Sequence, residues 1–385
     1  MTRSMLLNRL RRKMKDRRWR MIAMAAAVAV LVLIVLLARE LLDLRRYSSY
    51  RIVKSEQTAD SVSSYMNVDG YVLRYSTDGA ALIKSDLSTV WDESYTMSSA
   101  AADSCNGEIL VYDRNGTSVK IFNEKKKVSS FSADLPIIAA RISEKGTVAA
   151  LLDDGDSTEF CYYDSDGTVI ASGLSSISDT GSPVALDVSA DGMEACVSYV
   201  TAASGTVGTT LNFYDFSSSK KKADKCLALS KTYDGVLIPT VNYMEGSELI
   251  AVRDDGFLVF HGAAKPSLIK SVSFDSDIAS FFCSEKYVGF TFAGSEAGHA
   301  YDMRIYTASG RLKSSSYVDQ SYTGVHMSGN RVVFSSASGF SVYTVRGHLK
   351  YTGNVEDGNV SDALKIGSNR YLLVTDQAVE TVRLK

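Results

Sequence analysis

One phrase, an apolar strand, an Asp-Gly or Asn-Gly turn and a second apolar strand, recurs along most of this chain and limits its fold more than any other feature. From Tyr65 it reads YMNV, DG, YVLRYS, TDG, AALIKS. Between Ala101 and Asp134 a whole unit is spelled out: AAADSC, the turn Asn106-Gly107, EILVYD, the turn Arg114-Asn115-Gly116, TSVKIF, a lysine-rich turn and VSSFSA. Short runs rich in Val, Ile, Tyr, Phe and Thr read as strands, and the Gly-containing turns between them read as hairpins. With the turn after each first strand as marker, the copies fall at Gly70, Gly107, Gly146, Gly192, Gly246, Glu285, Gly329 and Gly367. Their spacing averages about 42 residues, and a period of about 40–45 residues holding four strands is that of a β-propeller blade. The expected fold is therefore all-β: a propeller of eight four-stranded blades, or seven if one copy is only a decorated hairpin. The last copy runs out after three strands at Lys385, so Tyr50-Arg51-Ile52-Val53-Lys54 is expected to supply its fourth strand and close the ring. The longest interval contains Thr201–Thr210 and Ser217–Asp224, small and polar stretches that read as lengthened hairpins.

The N-terminal part is of another kind. Met21 to Ala38 carries no charge, Gly or Pro and is flanked by Arg20 and Arg39. Eighteen helical residues cover about 27 Å, close to the ~30 Å hydrocarbon core of a bilayer, and a run apolar all round lacks the polar stripe of a soluble helix. The run is longer than the apolar core of a signal peptide, and REL LDLRR beyond it (residues 39–46) offers no small-residue cleavage site. Residues 1–46 hold a balance of +9 and residues 47–385 one of −11, so the overall net charge of −2 is a cancellation. The charge asymmetry predicts a basic cytoplasmic arm (1–20), a signal-anchor transmembrane helix (21–38), a juxtamembrane linker (39–49) and an extracytoplasmic propeller (50–385) in a single-pass cell-membrane protein. The lipid bilayer is then the partner of residues 21–38 and anionic headgroups that of the arm, a reading preferred over nucleic-acid binding.

Ala185–Val200, ALDVSADGMEACVSYV, resembles the S-x-D-G repeat of TolB-like and WD40-like propellers, and RISEKGTVAALLDD from Arg141 is a weaker copy. The WD dipeptide is absent, and Trp91 is the only Trp beyond the N-terminal arm. Basic arm, single span and Ser/Tyr/Asp-rich propeller together resemble a family of uncharacterised membrane-anchored propellers of Clostridia-type Gram-positive bacteria. That resemblance implies the architecture and no reaction.

Catalytic signatures are missing: the chain has no G-x-S-x-G elbow, P-loop, G-x-G-x-x-G or H-E-x-x-H. His261, His299, His326 and His348 fall in different copies without metal-ligand spacing. Asp153-Asp154-Gly155-Asp156 and Asp164-Ser165-Asp166-Gly167 suggest calcium loops, but an EF-hand would need Glu where Ser175 stands, and Asp-Gly is good turn chemistry. Asn115-Gly116-Thr117 and Asn359-Val360-Ser361 match the glycosylation sequon. Cys105, Cys161, Cys196, Cys226 and Cys283 are odd in number and read as small core residues, with Cys196 and Cys226 placed on the second and fourth strands of one blade. No cofactor and no metal is indicated.

One constellation stands out. In a propeller the first strand of each blade lines the central channel, and six copies place a polar residue at nearly the same point: Asp103, Arg141, Asp187, Asn242, His326 and Lys365. Alternating charge around a channel mouth suits ligand or ion binding, and a strand bordering water also tolerates polar residues without any role. The expected function is a binding or scaffolding module for an envelope protein, peptide or glycan. The alternative is a surface-glycan lyase or hydrolase with His326 as general base and Arg141 or Lys365 as charge stabilisers.

Overall fold

The computed structural model of the chain describes residues 21–35, 43–57, 63–203, 206–217, 223–295 and 298–385. The chain divides into two units, residues 1–47 and 48–385. In the first, residues 21–35 are helical and exposed throughout. Among the described residues no helix is long and apolar enough to cross a membrane. The expected span runs on through residues 36–38, which lie outside the described residues, as do the basic arm 1–20 and residues 39–42 of the linker.

The second unit is a β-propeller of eight four-stranded antiparallel sheets. Blades 1 to 7 are consecutive in sequence: residues 64–94, 100–132, 137–176, 182–234, 240–273, 278–318 and 324–354. Blade 8 takes its three inner strands from residues 360–384 and its outer strand from Tyr50–Gln57, so the seven-blade alternative is ruled out and the ring closes as the missing strand requires. The closing strand pairs antiparallel with Ala378–Leu384, from Tyr50 opposite Leu384 to Gln57 opposite Ala378. The lengthened hairpin expected in blade 4 is present, with ten-residue strands Glu194–Ala203 and Thr206–Asp215. Residues 204–205 at its tip and 218–222 in the following connection lie outside the described residues.

Strand position within a blade explains each strand's apolar pattern. Second and third strands lie between two neighbouring blades and are buried on both faces, as in Glu108–Asp113 and Gly339–Thr344, and so read as continuous apolar runs. Outer strands such as Lys127–Ser132 alternate between exposed and half-buried residues. The core is thus divided into slabs between blades. Leu110, Tyr112 and Ile121 of blade 2 pack on Ala140, Val148 and Leu152 of blade 3, and Leu151 and Phe160 of blade 3 pack in turn on Val197 and Tyr199 of blade 4. The seam between blades 7 and 8 is aromatic: Phe340 meets Tyr371, and Tyr50 from the closing strand meets Phe340 at 5.9 Å between ring centroids.

Two local devices repeat with the blades. Six of the eight marker turns place their Gly at positive φ, where a Cβ is strained. At Gly192 a Cβ would also come within 2.7 Å of Thr147 Oγ1. In every blade the pairing of third with outer strand carries a register shift, for example at Ile121/Phe122, Phe213/Tyr214, Val342/Tyr343 and, in the closing strand, Ile52/Lys54. Such bulges twist the outer edge and blunt its capacity to pair with another chain.

If the closing strand holds the ring shut, replacing residues 50–57 with a Gly/Ser segment of equal length leaves the edge of Ala378–Leu384 unpaired. The expected result is a Tm lowered by roughly 5–10 °C, with onset of aggregation, in a thermal melt followed by circular dichroism. An unchanged Tm would show that the closure contributes nothing.

Candidate functional site

The antiparallel order of each blade gives the propeller two faces. Turns joining strands one to two and three to four lie on one face, while turns joining two to three and the crossovers to the next blade lie on the other. Residue 48 enters on the first face, where Ser48 N–H donates to Lys385 O at 3.2 Å. The channel runs between the faces, lined by the eight inner strands.

All six residues expected to line the channel are on inner strands, but they separate into distinct arrangements. On blades 2 to 4 three of them form one chain of contacts that reaches the backbone of blade 5. Asp103 accepts the Ile142 N–H of blade 3 at 2.9 Å, and Asp187 accepts the Tyr243 N–H of blade 5 at 2.6 Å. Arg141 stands between these carboxylates, its Nε 3.9 Å from Asp187 Oδ1, and donates from Nη1 to Ala140 O at 3.2 Å. Burial pushes the Asp187 carboxyl up to about 7; Arg141 opposes the rise and Asp103 adds to it. Burial also raises Asp103, against Arg141 and the backbone N–H groups of Ile142 and Ser104. For Arg141 burial acts downward, and the two carboxylates outweigh it, so the guanidinium is held above its usual range. Its side chain keeps 37% exposure, against 15% for Asp187, so channel water reaches the cation and screens the pair. Asn242 of blade 5 belongs to no such contact: its Oδ1 is buried with no hydrogen-bond partner among the described residues.

On the opposite side of the ring His326 of blade 7 faces blade 8, its Nε2 2.8 Å from Asp362 Oδ1. That oxygen also accepts the Ala363 N–H at 2.8 Å. Blades 3 and 7 are four apart in a ring of eight, so Arg141 and His326 sit across the channel from one another. No ion pair joins His326 to Asp103 or Asp187 among the described residues. Lys365 of blade 8 is tied by its backbone, its carbonyl accepting Asn67 Nδ2 of blade 1 at 2.5 Å.

Asn67 and Asp362 are the functional positions that sequence reasoning missed. Asn67 precedes the marker turn of blade 1, and its Oδ1 accepts the Gly70 N–H while its amide crosses to blade 8. Its signal was the Asn of YMNV, a polar residue in one of the two copies that contributed none of the six. Asp362 lies three residues before Lys365 on the same inner strand, at the offset from its marker turn that Arg141 and Asp187 have from theirs, and was passed over because Lys365 was taken to represent that copy.

The other singled-out residues have local partners. Asp164 and Asp166 accept the N–H groups of Ser165 and Thr168 within their turn, and Asp153 accepts that of Gly155. His299 stacks on Tyr317 and contacts Asp319 through Nδ1 at 2.5 Å. His261 lies 3.9 Å from Glu248, and His348 N–H donates to Thr344 Oγ1 in a turn. None of the five cysteines forms a disulfide among the described residues. Two of the cysteine expectations need correction: Cys226 closes the short helix Ala223–Cys226 ahead of the outer strand, and Cys105 and Cys283 are half-buried at the ends of inner strands rather than core. Burial pushes both of the latter up to about 12. A cleft of about 330 Å³ opens at the seam of blades 1 and 8 among Glu56, Tyr65, Arg74, Asp92 and Val379, and none of the six channel residues lines it.

With this geometry in hand, comparison with known proteins adds a family and a fold. Residues 43–384 match the model of a family of unknown function, DUF5711, and the chain belongs to that family. No curated protein matches it. Among solved structures it is similar to BamB from Moraxella catarrhalis, at 12% identity and a TM-score of 0.50, covering 87% of this chain and 100% of that one. It is also similar to the computationally designed Ika8 protein, at 12% identity and a TM-score of 0.55, covering 89% and 100%. A eukaryotic initiation factor matches at 10% identity and a TM-score of 0.54, covering 89% and 88%. At such identities the likeness extends to the propeller fold alone.

The raised Asp187 carboxyl has a signed consequence for stability. Between about pH 4, the ordinary aspartate range, and about pH 7 the folded state holds a proton that the unfolded state has lost, so this group's contribution falls as pH rises through that window. Glu194, pushed up to about 7 by burial and by Asp191 and Asp215, acts in the same direction. Asp187→Asn retains an acceptor for Tyr243 N–H and removes the titration. Its Tm is expected to fall less between pH 5 and pH 8 than that of the wild type, by a few degrees. Parallel pH profiles would show that Asp187 is not the titrating group.

Proposed function

We propose that this protein is a membrane-tethered, extracytoplasmic scaffold that presents one propeller face to a protein or peptide partner in the envelope of a Clostridia-type Gram-positive bacterium. The observation that carries the reading is the dispersal of the channel groups. Asp103 and Asp187 are engaged in joining blades, Arg141 is held between them, and on the opposite side of the ring His326 faces Asp362 of the next blade. A glycan lyase or hydrolase needs base and charge stabiliser on one bound sugar, and these groups are distributed around a wet channel instead.

The loops support a face rather than the channel as the binding surface. Connections on the face away from residue 48 carry Asp153, Asp154 and Asp156, Asp254 and Asp255, and Asp357, and Arg253 there is paired with Asp255 at 3.0 Å. An acidic face favours encounter with a basic protein surface. In the tether itself, residues 21–38 are the bilayer-spanning segment and the arm 1–20 meets anionic headgroups on the cytoplasmic side.

Two measurements test the proposal. Protease added to intact cells is expected to remove a C-terminal tag and spare an N-terminal one; the reverse pattern overturns the topology. Crosslinking of the full chain in its native envelope is expected to recover a specific protein partner. Neutralising Asp153, Asp154, Asp156, Asp254 and Asp255 to Asn should reduce that recovery at least about tenfold, while His326→Ala leaves it unchanged. Turnover of a surface glycan that His326→Ala abolishes would replace the scaffold with the enzyme.

A further inference from the structure

On each second strand alternate residues face the preceding blade, and the second of them lies midway along the seam. In blades 2 to 7 these are Val111, Ala150, Val197, Ala251, Phe290 and Phe334, each buried in the slab shared with the preceding blade. In blade 1 the same place holds Arg74, which is exposed. Val72, one row nearer the marker turn, is buried with Leu372 and Val374 of blade 8, so this seam is packed at one end and open beyond it. An apolar side chain at that position stabilises each of the other seams by burial, and here that contribution is given up.

The row through Arg74 crosses the blade by register: Tyr65 opposite Arg74, Arg74 opposite Ala81 and Ala81 opposite Asp92. Register partners share a face, so all four turn toward blade 8. Arg74 and Asp92 stand two strand spacings apart, about 10 Å between Cα atoms, with Ala81 between them. Over this row lies the cleft of about 330 Å³, with Val379 and Glu56 of blade 8 on its other side. It opens beside Ser76 and Asp78, in a two-to-three turn and so on the face away from residue 48. The ion pairs that reach blades 8 and 1 among the described residues join Lys54 to Glu56 at 3.0 Å, Lys127 to Glu93 at 2.6 Å and His326 to Asp362 at 2.8 Å; Arg74 and Asp92 are in none of them. A guanidinium and a carboxylate thus line one cleft without pairing with each other.

These walls select a class of ligand. An apolar molecule would strand Arg74 and Asp92. A simple anion would meet Asp92 and Asp78, and a simple cation would meet Arg74. A sugar hydroxyl both donates and accepts, so neighbouring hydroxyls of one ring satisfy a carboxylate and a guanidinium together without bringing a charge of their own. The C–H face of a sugar ring is apolar, and Tyr65, packed on the slab at the inner end of the row, offers an aromatic surface to it. The volume lies at the small end of ligand pockets, about 300–1,000 Å³, and suits a mono- or disaccharide.

We propose that this cleft is a binding site for a neutral saccharide, whose hydroxyls donate to Asp92 and accept from Arg74 while its ring lies against Tyr65. The site is separate from the channel groups and from the acidic turns of blades 3 and 5, so its failure leaves the scaffold reading intact.

The test is isothermal calorimetry and thermal shift on the purified full-length chain in a non-glycosidic detergent. The probes are maltose, cellobiose and N,N′-diacetylchitobiose, with glycylglycine as a zwitterion carrying both charges. At least one of the saccharides is expected to bind saturably and raise the Tm, and glycylglycine is not. Arg74→Leu restores the apolar pattern of the other seams, so it is expected to hold or raise the Tm of the free protein while reducing saccharide affinity at least about tenfold. A purely structural Arg74 would show the opposite, a lowered Tm with affinity kept. Ala81→Leu, which fills the floor and keeps both charges, and Asp92→Ala should each weaken binding as well; they carry the test should Arg74→Leu fail to fold. No saturable response to any of the saccharides, saturable binding of glycylglycine in their place, or affinity unchanged in these variants overturns the site.

Discussion

Everything in the propeller depends on apolar contact between neighbouring blades. A four-stranded sheet such as blade 3 has two apolar faces, one turned to Tyr112 and Ile121 of blade 2 and the other to Val197 and Tyr199 of blade 4. It buries neither by itself, so a blade is stable only with a neighbour on each side. In an open row the two terminal blades would each expose such a face, and a ring removes both. The covalent chain has only one place at which to fail this condition, the junction of its ends. There the strand Tyr50–Gln57 pairs with Ala378–Leu384, and Tyr50 adds its ring to the aromatic seam with Phe340 and Tyr351. Closure is thus backbone pairing and side-chain packing by the same eight residues.

The geometry of closure also explains where the polar residues went. Inner strands converge on a channel that contains water, so their backbone groups on the channel side are not all satisfied by neighbours within the blade. Asp103 and Asp187 take up N–H groups of the next inner strand, Ile142 and Tyr243, and Asn67 reaches back to the Lys365 carbonyl across the seam. Side chains at one level of the channel therefore act as cross-ties between sheets that share no ladder. The cost appears at Asp187: two carboxylates around one guanidinium are poorly solvated, and a proton near neutrality restores the balance.

Most of the architecture was legible because its signals are local. The strand–turn phrase marks each blade, six of the marker glycines stand at positive φ, and a last copy short by one strand announces that another segment completes it. Polar channel positions were legible as positions, since period and turn together fix which residue of an inner strand stands at a given height. Their partners were not, because the groups that meet come from different blades: Asp103 with Ile142 is a separation of 39 residues and Asn67 with Lys365 one of 298. The register shifts at the outer strands escaped for another reason. An extra residue leaves no gap in the apolar pattern, although the recurrent aromatic at that point, Phe122, Tyr163, Tyr214, Phe260, Tyr306 and Tyr343, is visible once its role is known.

Eight blades rather than fewer also bear on what the molecule can do. Adding blades widens the central channel, and in a wide channel groups on opposite inner strands, such as Arg141 and His326, cannot act on one small substrate. Chemistry that needs convergence would have to be confined to two or three adjacent blades. The chain instead uses adjacent blades for pairs, Arg141 with Asp187 and His326 with Asp362, each of which satisfies its own charge. The ends of the ring carry turns and crossovers instead, such as the Asp153–Asp156 and Asp254–Asp255 turns of one face. A closed propeller spends its interior on holding its blades together, and its capacity for recognition is carried by the two faces that closure leaves open.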